Sequence, residues 1–304
     1  MNVDKRNKNL VINEFQIPVP WGHIAIKAWG DNKNPHVLLF HGIADNAGSF
    51  DNLIPYLSAS FYYICVDLPG HGFSSPFPPH LPIHSTDFLI VFKLVVDYFE
   101  KQKYTIIGHS YGGQIGLLFA RVYPQHVEKF ISLDGLVLFA IEAKESMKIL
   151  KSRLEKHEEI VAAKPETYTY EEALNLISKN RFHGEVLTRE ACEPLLKRCL
   201  HLQDNGRYII TTDQRIKSYI NPLHDMRYRI ETLKYDPIKC PTLMIYTKLN
   251  DRPRKKYHKL LEKLHANKNI TVQYIDGDHD IHNKKPTAVA PYINKFLLIQ
   301  KSKV

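Results

Sequence analysis

The sequence predicts an α/β fold with a mostly parallel central sheet, flanking helices and an inserted helical cap. Short apolar runs alternate with longer segments of helical period, which is typical of parallel strands joined by crossover helices. Between two of the strands, roughly a hundred residues have only helical patterning, too many for a single crossover. The chain of 304 residues is long enough for one such domain and its insertion.

The predicted elements follow in order along the chain. We predict strands at Phe15–Val19, His23–Trp29, His36–Phe40, Tyr62–Val66, Tyr104–Ile107, Phe130–Leu133, Thr242–Tyr246 and Thr271–Tyr274. Helices are predicted at Ser85–Phe99, Ser110–Tyr123, Ser146–Ala162, Tyr170–Ile177, Thr188–Leu200 and Ala288–Ile299. Residues 1–135 and 240–304 should then form the core domain, and residues 136–239 the cap.

The chemistry centres on the segment Gly108-His-Ser-Tyr-Gly-Gly113. It matches the G-x-S-x-G nucleophile elbow, in which a serine sits on a sharp turn between a strand and a helix. The apolar strand before it and the helical pattern after it supply that context. Because glycines leave room for tight strand–helix packing, Ser110 should present its hydroxyl above the sheet. We predict Ser110 as the nucleophile of an acyl-transfer reaction.

A second element is His41-Gly42, which directly follows the strand His36–Phe40. Ligands bind at the carboxyl ends of strands in such sheets, and the loop at this place supplies a backbone donor to the oxyanion hole. We assign that donor to the N–H of Ile43 and the second donor to the N–H of Tyr111. Donors of this kind stabilise the negative charge that develops on the substrate oxygen.

His279 is the predicted general base among sixteen histidines. It lies after the last predicted strand and before the closing helix, as the order nucleophile, acid, histidine requires. His282 is the nearest alternative, and we prefer His279 for its place in the loop Asp276-Gly-Asp-His-Asp280. The same loop resembles a metal site, but no matching cluster in the sequence completes one. We therefore predict no metal site.

Two residues compete for the acid that orients the imidazole. We prefer Asp251, because it follows the strand Thr242–Tyr246 in the loop that usually carries the acid. Asp134 is the alternative, since it stands at the end of the strand Phe130–Leu133. The next residue, Gly135, would allow the chain to turn inward there.

Several segments resemble the serine hydrolase-like (kraken-like) family of the α/β-hydrolase fold. They are Pro18–Ala25, His41–Gly48, Asp67–Ser75 and Gly108–Gly113, and Thr212-Asp-Gln-Arg215 is similar to a segment of that family's cap. The resemblance implies a lidded hydrolase with a Ser–His–acid triad and no cofactor. It does not supply a substrate.

One departure bears on the acid. Relatives across the fold often have Gly-x-x-Asp after the seventh strand. Here Thr247 replaces that glycine and Asn250 takes the place of the aspartate, one residue before Asp251. The departure keeps Asp134 open as the alternative.

We predict a serine hydrolase of the carboxylesterase or lipase-like class, cleaving a carboxylic ester or thioester through an acyl-enzyme on Ser110. The substrate should be a small molecule with an apolar acyl group. Aromatic residues of the cap are candidates for its pocket: Tyr168, Tyr170, Phe182, Tyr208, Tyr219 and Tyr228. Two alternatives stay open, a lyase or cofactor-free oxygenase using the same triad, and a ligand-binding receptor that retains the triad without turnover.

The charge and the cysteine content of the chain limit which partners and which cellular compartment we predict. The net charge is +9, and from Lys248 to Val304 there are 13 Lys or Arg against 5 Asp or Glu. Without a nucleic-acid motif this favours a solvated basic face, with weak membrane-surface contact as the alternative. No apolar run predicts a transmembrane helix or a signal peptide, and the four cysteines form no CxxC pair. We expect a cytoplasmic protein, or a peroxisomal one if Ser302-Lys-Val304 acts as an address.

Overall fold

An eight-stranded sheet forms the centre of the molecule, in a computed structural model that describes residue 7 and residues 10–135, 143–181, 184–220, 226–248 and 257–299. Asp251, Phe182 and Ser302–Val304 lie outside the described residues. In chain order the strands are β1 Ile12–Val19, β2 Gly22–Trp29, β3 His36–Phe40, β4 Tyr62–Val66, β5 Tyr104–His109, β6 Val127–Leu133, β7 Leu200–Leu202, β8 Tyr208–Ile210, β9 Thr242–Thr247 and β10 Ile270–Ile275.

The sheet has the order β1-β2-β4-β3-β5-β6-β9-β10. The pairs β1–β2 and β2–β4 are antiparallel, and the others are parallel, so β3, β5, β6, β9 and β10 all end at the same edge. The central strands are buried on both faces, as near-continuous apolar runs require in a parallel sheet. The predicted α/β-hydrolase fold is confirmed, and all eight predicted strands are present with ends shifted by a few residues.

Helices cover both faces of this sheet. In chain order the described helices, including those of the segment between β6 and β9, are α1 Asp87–Phe99, α2 Ser110–Val122, α3 Ala143–Ala162, α4 Tyr170–Lys179, α5 Arg189–Cys199, α6 Met226–Tyr235, α7 His258–His265, α8 Ile281–Lys284 and α9 Ala290–Leu298. Side chains alternate along β3, so Leu38 and Phe40 join the cluster under α1 and α2, while Val37 and Leu39 join the cluster under α9. Of these helices, α6, α7 and α8 were not predicted.

The segment between β6 and β9, which we call the insertion, carries α3 to α6. It has a small apolar cluster of its own, built on Leu174, Leu195 and Leu196. A capping box at Thr169 and Glu172 begins α4, and β7 and β8 form a hairpin around the turn Asp204–Gly206. The three predicted insertion helices are present, whereas the hairpin strands were not predicted.

All four cysteines are buried and carry free thiols. Among the helices described, none combines the length and apolar character needed to cross a bilayer.

Candidate active site

Ser110 lies where β5 meets α2, on a turn that the flanking glycines make possible. Its φ is +48°, in the left-handed region where a residue with a side chain is strained. A Cβ on Gly108 would come within 2.4 Å of the Gly112 carbonyl oxygen, and one on Gly112 within 2.2 Å of the Phe40 carbonyl oxygen. These close approaches exclude larger residues and hold the serine at the carboxyl edge of the sheet.

His279 lies beside this serine. Its Nε2 is 2.7 Å from Ser110 Oγ, and its Nδ1 is 2.7 Å from Asp134 Oδ2. Since the carboxylate can only accept, Nδ1 carries the proton and Nε2 is left to accept from the serine hydroxyl. The structure thus brings Ser110 and His279 together. His282 lies elsewhere, buried against the rings of His109 and Phe50.

Asp134 occupies the acid position that we preferred to give to Asp251. The residue follows β6 directly with a φ of +47°, so the chain turns inward and buries the carboxylate. Thr247 donates twice to it, from its N–H at 2.9 Å and from its hydroxyl at 3.0 Å. The geometry therefore favours the alternative acid, while Asp251 lies outside the described residues.

The signals for this acid were present in the sequence. Thr247, which departs from the expected glycine, donates twice to Asp134 and holds its carboxylate in place. Gly135 is required next to it, because a Cβ there would lie 2.7 Å from Ser132 Oγ and 2.8 Å from the Ser110 carbonyl oxygen. These residues come together only through the pairing of β6 with β9. That pairing cannot be predicted from the local sequence pattern.

The charge around His279 favours its protonated form. Burial acts to lower the pKa of the imidazole, but the hydrogen bond and charge of Asp134, with the charges of Asp280 and Glu185, outweigh burial and raise it. An imidazolium is the form that a general base reaches after taking a proton. The same surroundings therefore stabilise the charge that such a step creates.

The two predicted oxyanion donors flank Ser110. Ile43 lies in a turn closed by the Asp45 N–H, which donates to the Gly42 carbonyl at 3.2 Å. A Cβ on Gly42 would lie only 3.2 Å from Ser110 Cβ, which places this turn directly against the nucleophile. Tyr111 is the second residue of α2, where the N–H has no acceptor within the helix. Both positions suit donation to an anionic oxygen at Ser110.

Two buried histidines brace the turn that carries Ile43. His41 Nε2 accepts from the Leu68 N–H at 3.0 Å, so its Nδ1 carries the proton and donates to the Gly42 carbonyl at 2.7 Å. His71 Nε2 accepts from the Ala44 N–H at 3.2 Å. Both rings act as neutral acceptors, consistent with burial, which lowers the pKa of each. The sequence pattern singled out His41 only as part of the loop after β3, and it indicated neither His71 nor the bracing role of either ring.

A buried polar cluster lies behind His279. His109 Nε2 is 3.0 Å from the His279 carbonyl oxygen, and Asp45, His109 and Asp280 place one potential metal-ligating atom each within 4.8 Å of one another. However, the guanidinium of Arg181 lies between the two carboxylates and pairs with both. An arginine that already neutralises these acids makes the set unsuited to a cation.

Comparisons with known proteins agree with this architecture. Residues 35–167 match the family model described as alpha/beta hydrolase fold. The chain is similar to the mouse serine hydrolase-like protein, with 32% identity over 94% of this chain and 95% of that protein. It superimposes on the thioesterase domain of the curacin biosynthetic pathway with a TM-score of 0.75 and 21% identity, covering 93% of this chain and 99% of that domain. For an esterase of M. tuberculosis the TM-score is 0.68 at 15% identity, over 94% and 92% of the two chains.

Proposed function

The chain belongs to the serine hydrolase-like family of the α/β-hydrolase fold, and we propose that it hydrolyses a carboxylic ester or thioester through an acyl-enzyme on Ser110. The observation that carries this proposal is the continuous hydrogen-bonded line from the Ser110 hydroxyl through His279 to Asp134. Such a line activates a serine for attack on an acyl carbonyl.

In the proposed reaction Ser110 Oγ attacks the acyl carbon while His279 Nε2 takes the hydroxyl proton. The tetrahedral oxyanion is stabilised by the N–H groups of Ile43 and Tyr111, each worth about 3–4 kcal/mol in the transition state. His279 then gives its proton to the departing alcohol or thiol, which leaves an acyl-enzyme. A water molecule, deprotonated by the same imidazole, attacks the acyl carbon and releases the carboxylic acid. Asp134 stabilises the imidazolium in both halves.

An apolar acyl group is favoured by the aromatic surroundings of the nucleophile. Rings follow one another from the nucleophile helix outward: Tyr219–Tyr111 at 5.6 Å, Tyr111–Phe88 and Phe88–Phe77 at 5.3 Å, and Phe77–Trp21 at 5.4 Å between centroids. Phe77, Trp21 and Tyr219 are only partly buried, and Tyr219 is the one whose ring contacts that of Tyr111, so it offers apolar surface beside the nucleophile.

Of the insertion tyrosines named as pocket candidates, Tyr219 is the one we place at the substrate. Tyr168, Tyr170 and Tyr208 pack on one another or on the insertion's own cluster, and Tyr228 is largely exposed. Tyr219 instead contacts the ring that follows the nucleophile. The insertion thus serves as a cap over the acyl site, and the fold's esterase and thioesterase members make both ester types suitable first substrates.

Labelling and hydrolysis test the proposal together. The purified protein should react with a fluorophosphonate probe, and it should hydrolyse chromogenic esters or acyl-thioesters from a panel of increasing chain length. Ser110→Ala should abolish both activities while the melting temperature stays close to wild type, because only a hydroxyl is removed from a preformed turn. A wild-type protein that neither labels nor hydrolyses any member of the panel would overturn the proposal.

A further inference from the structure

Arg181, from the insertion, joins two loops of the core that carry opposite sides of the candidate site. Its Nη1 donates to Asp45 Oδ1 at 2.7 Å, and its Nε donates to Asp280 Oδ2 at 2.9 Å. Its Nη2 contacts both carboxylates. The side chain is about one-tenth exposed and both carboxylates are fully buried. Bidentate pairs of this kind fix geometry as well as charge.

Each of the two acids is tied to a different part of the reaction site. Asp280 directly follows His279, so its position sets the course of the backbone that carries the base. Asp45 closes the turn that carries Ile43 through its N–H bond to the Gly42 carbonyl. A displacement of Arg181 would therefore be felt at both the base and one oxyanion donor.

A second contact from the same stretch of the insertion reaches the base itself. The carboxylate of Glu185 accepts from the backbone N–H of His279 at 3.0 and 3.2 Å. Arg181 and Glu185 are four positions apart and hold adjacent residues of one loop. The described insertion thus contacts the His279 loop through two charged side chains.

We infer that Arg181 is a positioning residue that makes the alignment of His279 and Ile43 depend on the docked insertion. The inference rests on the proposed hydrolytic function of Ser110, and it adds that the insertion takes part in holding the catalytic geometry besides covering the substrate. Arg181 touches no reacting atom, and its effect passes through Asp45 and Asp280.

The electrostatics of the cluster separate this role from a merely structural one. The Arg181 guanidinium holds the pKa of Asp280 far below its usual range, against the effect of burial. In its absence two buried carboxylates would stay uncompensated close to His279. Their negative charge would raise the pKa of that imidazole beyond the rise that Asp134 and Asp280 already cause.

The other titratable groups that face His279 include His109, His282 and Glu185. His109, whose pKa is lowered to about 4, and His282, whose pKa lies well below its usual value, are neutral because both are fully buried. Glu185 already raises the pKa of His279 in the intact protein. In the intact protein the pH response of turnover therefore reports on His279.

The test replaces Arg181 in two ways and uses a second buried arginine as control. Arg181→Met removes both the positive charge and the planar guanidinium that bridges the two carboxylates. Arg181→Lys keeps the charge but loses that bridging group. Arg198→Met is the matched control, because Arg198 also links the insertion to a buried core carboxylate, Asp67, without contacting the His279 loop. Each variant is assayed for kcat and for kcat/KM against pH, with its melting temperature recorded.

Arg181→Met should lower kcat by up to about a hundredfold, as expected for small misalignment of reacting groups. It should also move the acidic limb of kcat/KM to higher pH, since a base with a raised pKa stays protonated longer. Arg181→Lys should return the limb to the wild-type pH while recovering kcat only in part. Arg198→Met should have a lower melting temperature, but the acidic limb of its kcat/KM should stay at the wild-type pH.

Two results would overturn the inference. One is an Arg181→Met or Arg181→Lys protein whose kcat and whose acidic limb of kcat/KM both match wild type. If the Met variant does not fold, the kcat of the Lys variant alone decides the outcome. The other is a limb that shifts equally in Arg198→Met. Failure of the proposed function is distinguishable, because the wild-type protein would then show no Ser110-dependent turnover. The far-downfield proton resonance of His279 Nδ1–H gives an independent readout, and Arg181→Met should weaken it by speeding exchange.

Discussion

Replacing Asp134 by asparagine tests the acid with a change of a single atom. In the folded protein Asp134 Oδ1 accepts from the Thr247 N–H, while Oδ2 accepts from His279 Nδ1 and the Thr247 hydroxyl. An asparagine must turn its NH₂ group toward one of these partners. Facing the Thr247 N–H, it would set donor against donor in a buried site. The favoured orientation therefore points NH₂ at His279 and forces the proton from Nδ1 to Nε2.

That tautomer cannot accept the proton of Ser110. The loss expected for a wrong tautomer in a serine triad is about four orders of magnitude in turnover, or about 5.4 kcal/mol of transition-state stabilisation. The fold should survive, because the asparagine still fits the space and still accepts from the Thr247 N–H. Removing the carboxylate also removes the charge that raises the pKa of His279, so any residual activity should begin at lower pH.

The assay is kcat/KM for a short-chain chromogenic ester across the acidic and neutral range, with melting temperatures as the control for folding. Asp251→Asn is measured in parallel, since the sequence pattern favours that residue. We expect the Asp251 variant to stay within about threefold of wild type. Turnover of Asp134→Asn within tenfold of wild type, or a collapse in Asp251→Asn, would refute the reasoning.

Three further predictions follow from the site. His279→Ala should reduce kcat far more than His282→Ala, because the His282 ring packs on His109 and Phe50; the reverse order in steady-state assays would reject His279. Dialysis against EDTA should leave turnover unchanged, because Arg181 already neutralises the buried acids, and activity lost and then restored by zinc would contradict this. Burial lowers the pKa of His71 and His109 to about 4, so below about pH 6.5 the unfolded chain binds protons that the folded chain does not. The contribution of these two residues to the free energy of unfolding should be constant above that pH. As the pH is lowered toward about 4, it should fall by up to about 1.4 kcal/mol per pH unit for each residue; urea midpoints that stay flat over this range would count against it.

The strands and the nucleophile turn were predictable because their signals are local. Strands such as β3 and β5 are short, buried and mostly apolar, and the turn at Ser110 needs glycines at fixed offsets. The hairpin β7–β8 escaped prediction because its strands are three residues long and partly exposed, so neither contains a run of more than three apolar residues. Helix α7 escaped because it is only eight residues long, although Leu260, Leu261 and Leu264 bury one face.

The site was predictable only where one segment carries the information. The position of His279 follows from its place between β10 and the closing helix, but its partners come from elsewhere in the chain. Arg181 lies 136 positions from Asp45 and 99 from Asp280. Nothing in the sequence near Arg181 distinguishes it from the other arginines of the insertion. Its role depends on how the insertion docks, which is a tertiary property.

The choice between the two acids has a physical basis in the sheet. Strands β6 and β9 are neighbours and end at the same edge, so a carboxylate after either one lies within a strand spacing of the other. Once Asp134 turns inward, its N–H donates to the Ile245 carbonyl at 2.8 Å and its carboxylate takes both donors of Thr247. The end of β9 then supports the acid instead of supplying it. A glycine at position 247 would leave Asp134 without the hydroxyl donor, so threonine there and aspartate at the end of β6 form one arrangement. We therefore read Thr247 and Asp134 as a matched pair, and a chain with the usual glycine and acid after β9 would need neither.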